Sequence, residues 1–297
     1  MEQLERAQTR LAHIRTVAPI LSALRTISLG SWKAALKQSG DVRRYEERLT
    51  ALLLPLIPHL TDNRRGKDQD IAPLKRVVAL VIGSERGLCG RFNVAAVERA
   101  ERYVVDQDAA GVQVELMALG SQVSRILRRR GHPLAWSGAL SITALPSYRA
   151  AVDLTHRWLE RYEAHELDAV DLVHNAYQGT GRYEPTVTRL IPPQLPADGT
   201  DTPSELWPPP IVETDPLSLY ARVVEQQVTL NLYGMLLDAA AAEHSTRFQL
   251  MEAATQNADR LIEELTLVVQ TARQEEITQE MQELAGGAGL IGPQSDA

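Results

Sequence analysis

The chain has 297 residues, only 5% of them aromatic, a formal net charge of −7 and a pI near 5.6. That balance excludes the global positive field that draws proteins to nucleic acid, and two Phe residues are too few for an aromatic-rich β core. The single cysteine, Cys89, excludes an intrachain disulfide.

The N-terminus, MEQLERAQTR, is charged from its second residue and lacks the apolar stretch of a signal peptide. From there to about Leu60, Leu4, Ala7, Leu11, Ile14, Ala18 and Leu21 recur at alternating three- and four-residue spacings, which predicts a coiled-coil helix with one face requiring a partner. Pro19 removes a backbone hydrogen bond inside this pattern and is expected to bend it. Pro55 and Pro58 end it, and the polar TDNRRGKDQD stretch reads as a linker.

A different rhythm follows. Val77–Ile82 and Val112–Leu119 read as strands, with helices starting near Asn93 and at Ser121. A longer helix spans about Tyr148 to His165, and strands follow at Ala169–Val173 and Thr186–Ile191. This alternation predicts an α/β layer with a mainly parallel sheet. The basic run Arg128, Arg129 and Arg130 before Gly131 fits a solvated helix end. Pro192 to Pro210 is unsuited to helix or central strand.

From Pro216 to about Ala285 no proline interrupts a helical pattern, and Asp215 is placed to cap its start. Leu261, Leu265, Val268 and Ala272 form one stripe, and Ile262, Val269 and Ile277 widen it. About 70 residues of helix span on the order of 100 Å, too long for a compact domain, so the two terminal helices are expected to pair antiparallel.

Three segments, in order, carry a family resemblance. VIGSERGLCGRFN resembles a strand followed by a DRGLCGG-type turn, HNAYQGTGRYEPTVTRLIPP an EPTV-containing strand, and AAEHSTRFQLMEAATQNADRLIEELTLVVQTARQEEITQEM a long C-terminal signature. Together they resemble the gamma subunit of F-type ATP synthases, over about residues 4 to 291. The N-terminal helix is the least similar part: Ile20, Ala23, Leu24, Arg25 and Ile27 align with an I-T-K-A-M-K-M-V pattern, but Leu24 and Thr26 replace methionines and Pro19 a lysine.

The resemblance implies an antiparallel coiled coil of N- and C-terminal helices with an inserted Rossmann-like α/β domain. The segments are then a coiled-coil helix (1–60), a linker (61–74), an α/β base (75–191), a Pro-rich connection (192–214), the C-terminal helix and its end (215–291) and a tail (292–297). It implies a rotor that couples c-ring rotation to ATP synthesis or hydrolysis, without catalysis of its own and without a cofactor. Its partners would be the alpha and beta subunits of the ATPase hexamer, an epsilon subunit and the membrane c-ring. Its place would be peripheral, on the cytoplasmic face of a bacterial inner membrane, reached through partner subunits. Leu24, Arg25, Arg247, Gln274, Thr278, Glu280, Leu284, Leu290 and Ile291 are the implied hexamer contacts.

Two other readings compete on residues alone. VIGSERGLCG lies between a strand and a helix, where phosphate loops occur, but Gly83, Gly87 and Gly90 fit neither G-x-G-x-x-G nor a Gly-Lys-Ser/Thr ending; Gly87 and Gly90 read as turn formers and Cys89 as a small buried residue. A non-rotary coiled-coil adaptor would explain the terminal helices but not the ordered motifs. The seven histidines are scattered without ligand spacing, and the pairs Glu263 and Glu264, and Glu275 and Glu276, diverge on a helix, so neither a metal site nor an acid and base couple is expected.

Overall fold

The computed structural model describes residues 2–53, 74–193 and 214–287. Helices α1 (Glu2–Leu53) and α5 (Pro216–Gly287) flank a segment with β1 (Arg76–Ile82), α2 (Phe92–Ala109), β2 (Gln113–Leu119), α3 (Ser121–Arg129), β3 (Trp136–Gly138), α4 (Tyr148–Glu163), β4 (Ala169–Tyr177) and β5 (Tyr183–Ile191). Contacts divide the chain into one unit of residues 1–27 and 249–297 and another of residues 28–248. Residues 61–73 of the expected linker, Pro55, Pro58, most of the Pro-rich connection, Leu290, Ile291 and the tail lie outside the described residues.

In the first unit, Leu4, Ala7 and Leu11 pack with Ile262, Leu265 and Val269. Arg15 donates to Thr266 at 3.3 Å and Arg25 pairs with Glu252 at 2.8 Å. As numbering rises on one helix it falls on the other, so the two run antiparallel. The six seam positions read from Leu4 to Leu21 are all buried or half-buried, whereas Pro19 is exposed and sits inside an unbroken α1.

The second unit is built on a mixed five-stranded sheet in the order β3-β2-β1-β4-β5. β1 is parallel to both β2 and β4, β2 is parallel to β3, and only β5 runs antiparallel, to β4. The β-branched run of β1 is central and covered on both faces, which is why it shows no polar alternation. One face, with Val77, Ala79, Val81 and Val173, packs against Ala96, Val97 and Ala100 of α2 and Val123 and Leu127 of α3. The other, with Val78, Leu80, Ile82 and Leu172, packs with Leu154 and Trp158 of α4, Val42 and Leu49 of α1, and Leu232 and Leu236 of α5.

Local signals explain the element ends. The Ser147 side chain accepts from the Ala150 amide at the start of α4, and Asp215 accepts the Ser218 amide at 2.9 Å at the start of α5. Gly131, with φ +85°, follows the basic end of α3. β3 is short and follows Pro133 and Leu134, so it offered no alternating run to recognise.

Candidate functional site

In an open sheet of this kind a ligand crevice lies beyond the carboxyl ends of the parallel strands, where connections leave in opposite directions. Here that point is between β1 and β4, because β1 leads outward to β2 and β3 while β4 lies on its other side. The turn between β1 and α2, residues 83–91, occupies it.

This turn is held from within. Gly83 donates to the Leu119 carbonyl at 2.9 Å, and a Cβ built on Gly83 would lie 2.2 Å from Val123 and 2.7 Å from the Asn93 amide oxygen, so no larger residue fits. The Asn93 side chain accepts from the Ser84 amide at 2.8 Å and donates to Ser84 Oγ at 2.8 Å and Cys89 Sγ at 3.3 Å. The Ser84 hydroxyl donates to the Arg86 carbonyl at 2.6 Å. Leu88 and Gly90 adopt φ values of +62° and +59°; Gly87 lies outside that left-handed region, and open space surrounds the position of its missing Cβ. Cys89 is buried as the sequence indicates, and burial pushes its thiol pKa up.

Glu85 ties the turn to its neighbours. It accepts from the Ser121 hydroxyl, from the Ser121 amide at 3.1 Å and from the Leu140 amide at 3.0 Å. Burial alone would raise its pKa, but these hydrogen bonds outweigh it and hold the carboxyl below its ordinary value.

The protein's own helix α5 then fills the crevice. Asp238 accepts the Tyr177 amide at 2.9 Å, and Ala242 packs on Cys89 and Phe92. Arg247, 6% exposed, donates to the Gly87 carbonyl at 3.2 Å through Nε and Nη2, to the Arg86 carbonyl at 3.2 Å and to Glu243 Oε1 at 2.5 Å. Its Nη1 lies 3.2 Å from His244 Nδ1, which accepts when the ring is neutral with its proton on Nε2. Burial and the adjacent guanidinium lower the His244 pKa to about 4. Burial raises the Glu243 pKa, with Arg247 opposing the shift.

What is left of the crevice is a cavity of about 40 Å³ lined by Glu85, Arg86, Glu243, His244 and Arg247 among others. That is room for a few waters, against several hundred Å³ for a nucleotide-sized site. The arrangement is suited to transmitting force: a long helix is anchored to a strand end by a buried ion pair, backbone acceptors and apolar contact.

The other expected contact residues lie in the first unit. Leu24 and Arg25 are half-buried, with Arg25 committed to Glu252. Gln274, Thr278 and Glu280 are exposed, and the Thr278 hydroxyl donates back to the Gln274 carbonyl at 2.7 Å. Leu284 is 73% exposed. Sequence reasoning missed Gly83, Glu85 and Asn93 as the residues that shape the turn. Only the nine-residue spacing of Ser84 and Asn93 across a strand-to-helix junction could have signalled their pairing.

Comparison with known proteins places the chain. The family model described as ATP synthase matches residues 3–289. The ATP synthase gamma chain of Pelotomaculum thermopropionicum is 27% identical over 294 residues, covering 98% of this chain and 100% of the relative. That of Rubrobacter xylanophilus is 29% identical over 301 residues, covering 98% and 99%. Among solved structures, a chain of the Euglena gracilis mitochondrial ATP synthase (OSCP, F1 and c-ring) is similar with a TM-score of 0.61 at 13% identity, covering 100% of this chain and 99% of that one. A chain of the Tetrahymena thermophila mitochondrial ATP synthase central stalk and c-ring gives a TM-score of 0.56 at 19% identity, covering 79% and 99%. At these identities the structural likeness speaks for the fold.

Proposed function

The chain belongs to the ATP synthase family, and we propose that it is the rotary gamma subunit of the central stalk in an F-type complex, coupling ion-driven rotation to ATP synthesis or hydrolysis. The family match over residues 3–289 carries this reading, because it spans both terminal helices and the sheet-bearing segment between them. On this reading the helices form an antiparallel coiled coil and the inserted segment is Rossmann-like. The division is into 1–60, 61–74, 75–191, 192–214, 215–291 and 292–297.

The alpha and beta subunits hold the nucleotides, and this chain catalyses nothing itself. It contributes asymmetry: each catalytic subunit meets a different face of the shaft, and rotation alters those contacts in turn, which biases each site's conformational equilibrium. The exposed Gln274, Thr278 and Glu280 make orientation-dependent polar contacts with the hexamer, and Leu24 and Arg25 support them across the helix pair. Leu284, with Leu290 and Ile291, turns in an apolar surround whose contacts are non-directional and present no fixed catch. Arg247, spent on Glu243 and on the turn, contributes to coupling by anchoring the helix, and Gly90, in the left-handed region, keeps that turn's path, which Gly87 does not require.

The epsilon subunit and the c-ring bind the inserted segment. None of the helices, among the described residues, is long and apolar enough to cross a membrane, so attachment to the cytoplasmic face of the bacterial inner membrane runs through these partners. The test is co-purification of the tagged chain in mild detergent. ATPase-active alpha and beta subunits should accompany it; a chain that stays alone when they are co-expressed would overturn the proposal.

A further inference from the structure

One edge of the sheet carries a basic groove with no assigned role. Ser121, Ser124, Arg125, Arg128 and Arg129 of α3 and residues 137–139 along β3 line a groove of about 560 Å³. Among the described residues, β3 is the terminal strand and pairs with β2 only, so its far side meets no other described strand. Among the described residues, Arg125, Arg128 and Arg129 make no ion pair, and Arg128 donates to Ser137 Oγ at 2.9 Å. Adjacent Arg130 is already committed to Glu101 at 2.5 Å.

Complementing the end of α3 accounts for Arg128 and Arg129 but not for Arg125 one turn earlier. The groove offers guanidinium donors and the Ser137 hydroxyl, the hydroxyls of Ser121 and Ser124 being spent on Glu85 and the Gly120 carbonyl, and its lining has no carboxylate and no large apolar side chain. Its occupant is therefore recognised by negative charge and backbone hydrogen bonds rather than by a buried apolar anchor.

We infer that an extended acidic segment of a partner protein adds along the free edge of β3, with its carboxylates meeting Arg125, Arg128 and Arg129. Strand addition supplies main-chain hydrogen bonds, and planar guanidiniums receive carboxylates through two parallel bonds. The same arginines keep neutral or basic strands from an otherwise open edge. A phosphate-bearing headgroup would use the arginines equally but leave the strand edge idle, so the acidic strand uses more of what the groove presents.

The test uses the full chain and a fluorescein-labelled ten-residue peptide of alternating Glu and Val, followed by anisotropy. Saturable binding is expected, with a loss of roughly tenfold or more in Arg125→Glu and no binding with Arg128→Glu and Arg129→Glu added. All three side chains are exposed, so circular dichroism should match wild type; should the triple variant misfold, Arg125→Glu alone carries the comparison. N-methylation of alternate backbone amides, which leaves the peptide's charge intact, should weaken binding by a similar factor. Equal binding of parent and methylated peptides would overturn strand addition. So would arginine-dependent binding to phosphatidylserine-containing vesicles in the absence of peptide binding.

Discussion

Helix α5 shows two solutions to the same problem. Across residues 227–247 most positions are buried and none is exposed, polar Gln227, Thr229, Glu243 and Arg247 as well as Leu232, Leu236, Leu237 and Ala242. Across residues 267–284 the large apolar residues Leu267, Val268, Ile277, Met281 and Leu284 are each more than half exposed. A helix buried on most sides needs surroundings that cover it, which the sheet, α1 and the turn do for the first stretch. The second displays apolar area that the described residues leave uncovered, as the proposed contact with the hexamer requires. One helix is thus a core element over one stretch and presents exposed apolar side chains over another.

The comparison breaks most severely at Arg247. Arg247→Met strips the buried partner from Glu243 and frees two turn carbonyls, and should cost about 3–5 kcal/mol in denaturant unfolding. Replacing Glu243 with Gln at the same time should recover part of that loss, because no buried carboxylate is then left alone. Next comes Leu236→Ala, at a position 1% exposed, expected to cost about 2–5 kcal/mol through lost burial and the cavity left behind. A loss below 1 kcal/mol in either case would mean that the 227–247 stretch is not held by its surroundings.

Acid acts on the same stretch. His244 keeps its ordinary pKa of 6.5 when unfolded but falls to about 4 in the fold, so the unfolded chain binds the proton first as pH drops. Its contribution is present above pH 6.5 and is lost as pH falls through 4, on the order of 3 kcal/mol at full loss. Glu243 works the other way: its raised pKa means that stability falls as pH rises from 4.5 through the folded value, which offsets part of the histidine effect at the lower end. His244→Gln should flatten the decline between pH 6.5 and 4.5 while still accepting from Arg247. An unchanged slope would show that folding does not lower the pKa of the ring.

How much of this was legible in the sequence depends on whether a constraint is local. The heptad spacing from Leu4 to Leu21, the cap at Asp215 and the β-branched run of β1 are local, and each was readable. Strand β5 was read from Thr186 but begins at Tyr183, because its first residues pair with β4 across a hairpin rather than showing an apolar run of their own. Arg247 looked like one more helix arginine. Only the fold brings it to carbonyls about 160 residues away, and the resemblance indicated a role without indicating that the guanidinium is buried and spent. Gly83 was noticed for failing a phosphate-loop pattern, whereas its requirement comes from Val123 and Asn93.

The smallest stability effect is expected where the functional effect is greatest. Gln274→Ala with Glu280→Ala alters exposed side chains outside any core cluster, so unfolding free energy should move by no more than about 0.5 kcal/mol. If these residues make the orientation-dependent contacts proposed for them, the same double variant should uncouple ATP hydrolysis from ion pumping, or slow rotation, in the reconstituted complex. Leu284→Ala is the control: it leaves unfolding equally unchanged but removes only non-directional contact, so coupling should survive it. Uncoupling by Leu284→Ala alone would place the angular information in the apolar end of α5 and leave Gln274 and Glu280 as solvated residues.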